Sequence, residues 1–272
     1  MTNLNAVTEN PIKPNAGIDP RAVVADGAEL AGNVEVGPFS IIEDGVKIGP
    51  NTRIGPHVVI RQNTHIGADN RIYQFCSIGE DPQYAGYDEE PTFLKIGDRN
   101  VIREYCTLNR GTPVGGGVTR IGSDNFLMAY VHIAHDCTLG NHAIFANCAS
   151  LAGHVEVGDY AIMGGFTLVH QYCRVGAHSI TGIGAVCLKD VPPFIVAAGN
   201  TASPFGINVK GLRRRGFSDE NVQSIKSAYK LIYRSGLDIQ SVVTRLEERL
   251  EECVEIQSFI DFLSTSKRGI IR

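Results

Sequence analysis

The sequence predicts a mainly β protein: a left-handed parallel β-helix of six-residue repeats over residues 15–195, then a linker and a small α-helical domain over 196–272. Three observations predict it. Aliphatic residues recur at every sixth position. Two insertions interrupt that period without ending it. After Val191-Pro192-Pro193 the apolar spacing changes to the threes and fours of helices.

The period comes first, because missing a repeat misassigns the whole fold. From Ile18, steps of six reach Val24, Leu30, Val36, Ile42, Ile48, Ile54, Ile60, Ile66, Ile72 and Ile78. If Ile, Leu and Val together make about a quarter of residues, chance gives such a run roughly once in a few million starting points. The period resumes at Ile96, Ile102 and Leu108. It resumes again from Ile121 through Leu127, Ile133, Leu139, Phe145, Leu151, Val157, Met163, Val169 and Val175, fraying at Thr181 and Cys187. Four residues after each aliphatic sits something small, such as Ser40, Thr52, Cys76 or Ala143, or else Asn70, Asn100 and Asn125. A period of six fits a short strand and a sharp corner, three of which close a triangular coil of eighteen residues. The aliphatic points inward, the small residue tucks in near the corner, and Gly and Asn are expected where the turn needs unusual angles. About 26 hexads stacked at 4.8 Å per coil make a rod roughly 40 Å long.

The interruptions are 81–95 and 109–120, the second containing GTPVGGG. Insertions into a solenoid must loop outward, and such loops often carry function. In the C-terminal part Val222, Ile225, Ala228, Tyr229 and Ile232 follow helical spacing, with Ser218 as N-cap and Gly236 as stop. Second and third helices fit Ile239 to Glu251 and Val254 to Thr265. Together they should cap the open end of the rod, whose unpaired strand edges otherwise invite aggregation.

Composition narrows the function. A net charge of −4 offers nucleic acid no attraction, although Lys210, Arg213, Arg214 and Arg215 form a local basic cluster. Met1 to Pro14 lacks the order of a signal peptide, and no run approaches a membrane span, so neither export nor stable membrane insertion is expected. The seven cysteines form no CxxC pair and are odd in number, as expected of small buried residues in a reducing cytoplasm.

The eighteen-residue coil also stacks residues into columns. His135, Gly153 and Gln171 form one, and Asp136, His154 and Tyr172 form its neighbour, with His132 at the preceding corner. His57, His65, His142 and His178 lie off these columns and are expected at the surface. Two chemistries suit the patch. In one, His135 is a general base held by Asp136, and Gly153 offers a backbone N–H to an oxyanion. In the other, three histidines bind zinc, as in carbonic anhydrases of this fold. A non-catalytic rod that assembles with copies of itself is a third reading.

HIAHDCTLGN (132–141), LAGHVEVGDYAI (151–162), VHQYCRVGAH (169–178), DVPPF (190–194) and SPFGINVKGLRRRGFS (203–218) make the resemblance specific. From about Ile18 to the terminal RGIIR the chain resembles the UDP-N-acetylglucosamine acyltransferase family, which performs the first step of lipid A synthesis. The resemblance implies transfer of an (R)-3-hydroxyacyl group from acyl carrier protein to the 3-hydroxyl of UDP-N-acetylglucosamine. It implies a cytoplasmic homotrimer with clefts between subunits, and neither metal nor other cofactor. By motif, His135 is the base, Asp136 its partner and Gly153 the oxyanion amide. His132, His154 and Gln171 line the donor and sugar site, and Asn208, Arg214 and Arg215 meet the nucleotide or the phosphopantetheine arm. The basic cluster complements an acidic carrier protein.

The chain departs from the family in the first loop. After IGE (78–80), Gln83 matches, but Tyr84 and Gly86 stand at positions usually Asp and Lys, which leaves a 3-amino sugar analogue open as acceptor. Ile183 stands at the position that acts as an acyl-chain ruler. Its bulk implies donors of about ten to twelve carbons, because extra methylenes would overpack a filled space. The N-acyltransferase of the same pathway is a poorer match, since the hexads begin by Ile18 and leave no room for its extra N-terminal domain.

Overall fold

Each hexad folds as a two-residue strand followed by a corner, and the computed structural model describes residues 17–250 and 253–272 of this repeating chain. The polar start Met1–Pro14, the first two residues of the expected β-helix and Glu251 lie outside the described residues. The strands form three parallel sheets, one per face of a triangular prism. The first face runs through nine strands from Val23–Val24 to Val186–Cys187, and the second through eight from Glu29–Leu30 to Arg174–Val175. The third runs through ten, from Glu35–Val36 to the terminal hairpin Ile195–Ala198 and Ser203–Ile207. This is the left-handed parallel β-helix that the period of six predicts.

The periodic aliphatics fill the prism. Ile42, Ile60, Ile78, Leu108, Ile133 and Leu151 pair in sequence up the first face, each with no exposed surface. Burying one such side chain contributes about 1.5–3 kcal/mol, so the column is a large apolar reserve. The buried asparagines form a ladder at one corner. The Asn100 backbone N–H and side-chain amide donate to Asn70 Oδ1 at 2.9 and 3.0 Å, and the Asn125 N–H donates to Asn100 Oδ1 at 3.0 Å. These links span 30 and 25 residues where the insertions intervene, and 18 where they do not, as from Ala143 to Asn125. The insertions therefore leave the coil register intact.

The corners differ from expectation. The left-handed position is taken less by Gly and Asn than by rings: Phe39, His57, Phe75, Tyr105 and Tyr130 at one corner, His142, Tyr160, His178 and Phe194 at another, all with φ near +60°. Each ring stacks on the next coil's ring with centroids 4.6–5.7 Å apart. Stacking at about 0.5–1.5 kcal/mol per pair offsets the strain of the left-handed angle. His57 and His142 are exposed, as expected, and His178 is half-buried, and all three are parts of ring ladders. Glycine serves instead where coils nearly touch. A Cβ on Gly49 would lie 2.6 Å from the Gly67 carbonyl carbon.

The β structure runs past residue 195, because the antiparallel strand Ser203–Ile207 covers the last strand of the third face. Four helices follow: α1 (Val209–Arg214), α2 (Asp219–Arg234), α3 (Ile239–Glu247) and α4 (Ile256–Thr265). Ser218 caps α2 through its hydroxyl, as expected, whereas α1 was hidden by the basic run in its sequence. Phe259 of α4 meets Phe194 at 5.3 Å, and Ile271 N–H donates to the Asp190 carbonyl, so the helices close the end of the prism.

His178 lies between Tyr160 and Phe194 with its Nδ1 buried and unpartnered. Burial, and then the Arg215 cation, push its pKa from the usual 6.5 down to about 4. The unfolded chain takes up this proton first, so stability should be full above about pH 6.5 and decline as pH falls toward about 4. Chemical denaturation of His178→Phe across that range should show a flatter acid limb than the wild type.

Candidate active site

The site is built at the corner between the first and second faces. Strand His132–Ile133 enters it, and its pairing with Ser150–Leu151 and then Leu168–Val169 sets the column. The His154 N–H donates to the His135 carbonyl at 3.0 Å and the Tyr172 N–H to the Gly153 carbonyl at 3.1 Å, so both predicted columns form. Asp136, His154 and Tyr172 take the left-handed corner angle, and His154 lies on Tyr172 with centroids 4.3 Å apart.

His135 Nδ1 lies 2.8 Å from Asp136 Oδ2. The Asp136 side chain is 1% exposed and that of His135 13%. A carboxylate buried this deeply needs donors. It has them: the Thr112 N–H donates to Oδ1 at 2.8 Å and the Thr112 hydroxyl to Oδ2 at 2.6 Å, while the Asp136 N–H donates to Thr119 Oγ1. With its oxygens also accepting from threonine, Asp136 accepts a hydrogen bond from the Nδ1–H of His135, the tautomer that leaves the Nε2 lone pair free. Gly153 completes the pocket, since a Cβ there would come within 2.5 Å of His135 Cε1 and 2.8 Å of Nε2. Among the described residues its own N–H has no backbone acceptor.

The other histidines are tuned by burial. His154, whose Nε2 is 3.7 Å from Asp136, has its pKa lowered by desolvation, against the pull of that carboxylate. His132 is lowered too, by burial and then by His135, and its Nδ1 meets Thr107 Oγ1 at 2.7 Å. Ligand atoms of His135, Asp136 and His154 fall within 4.8 Å of one another, so these three could hold a metal ion. The three-imidazole site expected for zinc does not assemble, because Asp136 and not His132 completes the group. Both Asp136 oxygens already accept hydrogen bonds.

The insertions both reach this corner. Loop 109–120 makes a tight turn at Pro113–Gly115 and clamps Asp136 through Thr112, which the sequence period could not reveal because an insertion has no register. Loop 81–95 brings Tyr84 to 6.0 Å from the His135 ring. Gln83, in the same loop, and Gln171, at the top of the column, are exposed. Asn208, Arg214 and Arg215 are elsewhere in the chain. Asn208 is 3% exposed, accepts from Gly211 N–H as the α1 cap, and donates to the His178 carbonyl. Arg215 lies over the Tyr160 ring at the corner between the second and third faces. One chain therefore does not bring these three to His135. Ile183 is 81% exposed, at the corner leading into the first face.

A Cβ on Gly115 would enter the Asp136 carboxylate. Gly115→Ala should therefore loosen the clamp at a cost of about 1–3 kcal/mol, seen as a fall of a few degrees in Tm.

Comparison with known proteins places the chain in a family. Residues 190–271 match the family described as UDP-N-acetylglucosamine O-acyltransferase, domain 2, and residues 27–62 and 118–153 match bacterial transferase hexapeptide repeats. The chain is 58% identical over 257 residues to the acyl-(acyl-carrier-protein)–UDP-N-acetylglucosamine O-acyltransferase of Thiobacillus denitrificans, covering 94% of this chain and 100% of that protein. It is likewise 58% identical to that of Alkalilimnicola ehrlichii, covering 94% and 99%. Among solved structures, the UDP-N-acetylglucosamine O-acyltransferase of Moraxella catarrhalis is similar with a TM-score of 0.93 at 43% identity, covering 94% of this chain and 99% of that one. The Francisella novicida UDP-N-acetylglucosamine acyltransferase gives 0.92 at 42% identity, covering 94% of each. The chain belongs to the UDP-N-acetylglucosamine O-acyltransferase family of hexapeptide-repeat transferases.

Proposed function

We propose that this acyltransferase moves an (R)-3-hydroxyacyl group from acyl carrier protein to the 3-hydroxyl of UDP-N-acetylglucosamine, the first step of lipid A biosynthesis. The observation that carries the reading is the His135–Asp136 pair at 2.8 Å with Gly153 against the free edge of the imidazole. His135 Nε2 takes the proton of the sugar hydroxyl, and that oxygen attacks the thioester carbonyl carbon. Negative charge collects on the carbonyl oxygen, where the Gly153 N–H donates to it. The carbon–sulfur bond then breaks, the phosphopantetheine sulfur takes the proton back from His135, and an ester remains. His132 and His154, both lowered by burial, serve as neutral polar walls. These steps need no metal or other cofactor beyond the carrier's own arm.

The reading includes a homotrimer. Val23, Ile41 and Leu168 on the first face, and Phe39, Phe75, Tyr105, Tyr130, Phe166 and Ile183 on the corner leading into it, are all exposed. An apolar wall of this extent marks an interaction surface. A second copy laid there would cover the His135 corner and supply Arg214 and Arg215, with Gln83, Gln171 and Asn208 contributing to substrate contacts. It would also convert the exposed Ile183 into the end wall of an acyl groove. Among the described residues no helix is long and apolar enough to cross a membrane.

Assay of purified protein with UDP-N-acetylglucosamine and hydroxyacyl carrier proteins of graded length should show preference for about ten to twelve carbons. His135→Ala should lose roughly a thousandfold in kcat. A clear preference for fourteen carbons defeats the Ile183 ruler, and full activity of His135→Ala defeats the mechanism. For shared sites, a His135→Ala chain co-assembled with an Arg214→Glu chain should regain activity at about a quarter of the clefts, by random mixing in a ring. No recovery would place the whole site within one subunit.

A further inference from the structure

We infer that Tyr84 is the acceptor-contacting side chain of the first loop: an aromatic platform for the pyranose ring beside His135. This deepens the acyltransferase reading and rests on it. Tyr84 and Gly86 stand at positions that are usually Asp and Lys in the family, so this loop presents a ring where a charge is usual. The two residues form a unit. The Tyr84 N–H donates to the Pro82 carbonyl at 2.7 Å and the Tyr87 N–H to the Tyr84 carbonyl at 3.0 Å, which curls the loop. In that curl the phenol lies across residue 86, where a Cβ would be 2.9 Å from Cε1, Cζ and the hydroxyl of Tyr84. Only glycine leaves the ring its place.

The loop that presents the ring is anchored at its root. Arg110, whose side chain is 2% exposed, donates to the Gly79 carbonyl at 2.6 Å, to the Asp81 carboxylate and to the Tyr87 hydroxyl at 3.2 Å. Tyr87 in turn donates to the Glu90 carbonyl at 2.7 Å, and the Asn109 amide donates to the carbonyls of Glu80 and Asp81. A buried guanidinium is costly unless its donors are used, and here Nη1 and Nη2 tie the loop's start at Gly79 and Asp81 to its middle at Tyr87. Arg110 lies two residues before Thr112, the clamp on Asp136. The same strand exit therefore sets the platform and the base.

Tyr84 is 43% exposed, and its ring is tilted 48° to that of His135 at a centroid separation of 6.0 Å. A ring so placed meets whatever His135 deprotonates, and it faces a pyranose through the sugar's C–H bonds, its positive edge against the aromatic face. Such a platform reads the ring and not the substituent at position 3, and it carries no charge for a phosphate.

The test compares affinities for UDP-N-acetylglucosamine and for UDP, by calorimetry, in the wild type, Tyr84→Ala, Tyr84→Phe and Gly86→Ala. Tyr84→Ala should weaken the sugar nucleotide about tenfold and leave UDP unchanged. Tyr84→Phe should restore most of that loss, and Gly86→Ala should reproduce it by displacing the ring. Upfield shifts of the sugar protons on binding should vanish in Tyr84→Ala. Equal affinity of Tyr84→Ala and wild type for the sugar nucleotide, or an equal loss for UDP, overturns the platform. A wild type that binds the sugar nucleotide through Tyr84 yet transfers no acyl group would overturn the proposed reaction and leave the platform standing.

Discussion

The carboxylate of Asp136 is held from three directions at once. Thr112 donates to it twice from the second insertion, Thr119 fixes its backbone from the coil before, and His135 and His154 lean on it from the open side. A buried carboxylate stripped of these donors would face a desolvation cost of several kcal/mol. Its position is therefore determined by the fold, and the imidazole bonded to it inherits that precision. The glycine-rich insertion, which looks like slack chain in the sequence, is what brings the donors to it.

That arrangement needs the eighteen-residue coil. Parallel register places Gly153 over His135 and Tyr172 over His154, and any slip of a residue would turn the inward column of aliphatics outward. The cost of a slip protects the site as well as the core. The same repetition leaves exposed apolar side chains on one face and along its leading corner, with the His135 corner at one edge and Ile183 at the other. Within one chain Arg215 lies at a different corner from His135.

Much of this was legible in the sequence. The period predicted the fold class, the core and the two columns at the candidate site, because a solenoid converts linear spacing directly into spatial neighbours. Three things were not legible. Thr112 and Tyr84 sit in insertions, which have no register to count along. The aromatic and histidine corners look like scattered surface residues until stacking over eighteen residues is considered. The boundary at residue 195 missed the hairpin strand Ser203–Ile207 and the short helix Val209–Arg214, because a strand with Pro204 and Gly206 and a six-residue helix with Gly211 inside it break the patterns that mark such elements.

The central claim is that His135 and Asp136 act as one unit, and a double-mutant cycle measures that directly. Acyl transfer by His135→Ala, Asp136→Asn and the double variant should be compared at a fixed donor length. If Asp136 works through His135, the double variant will be no slower than His135→Ala alone, because residues acting as a unit are strongly non-additive. If the two losses multiply instead, Asp136 acts on the substrate by another route and the account of the site is wrong.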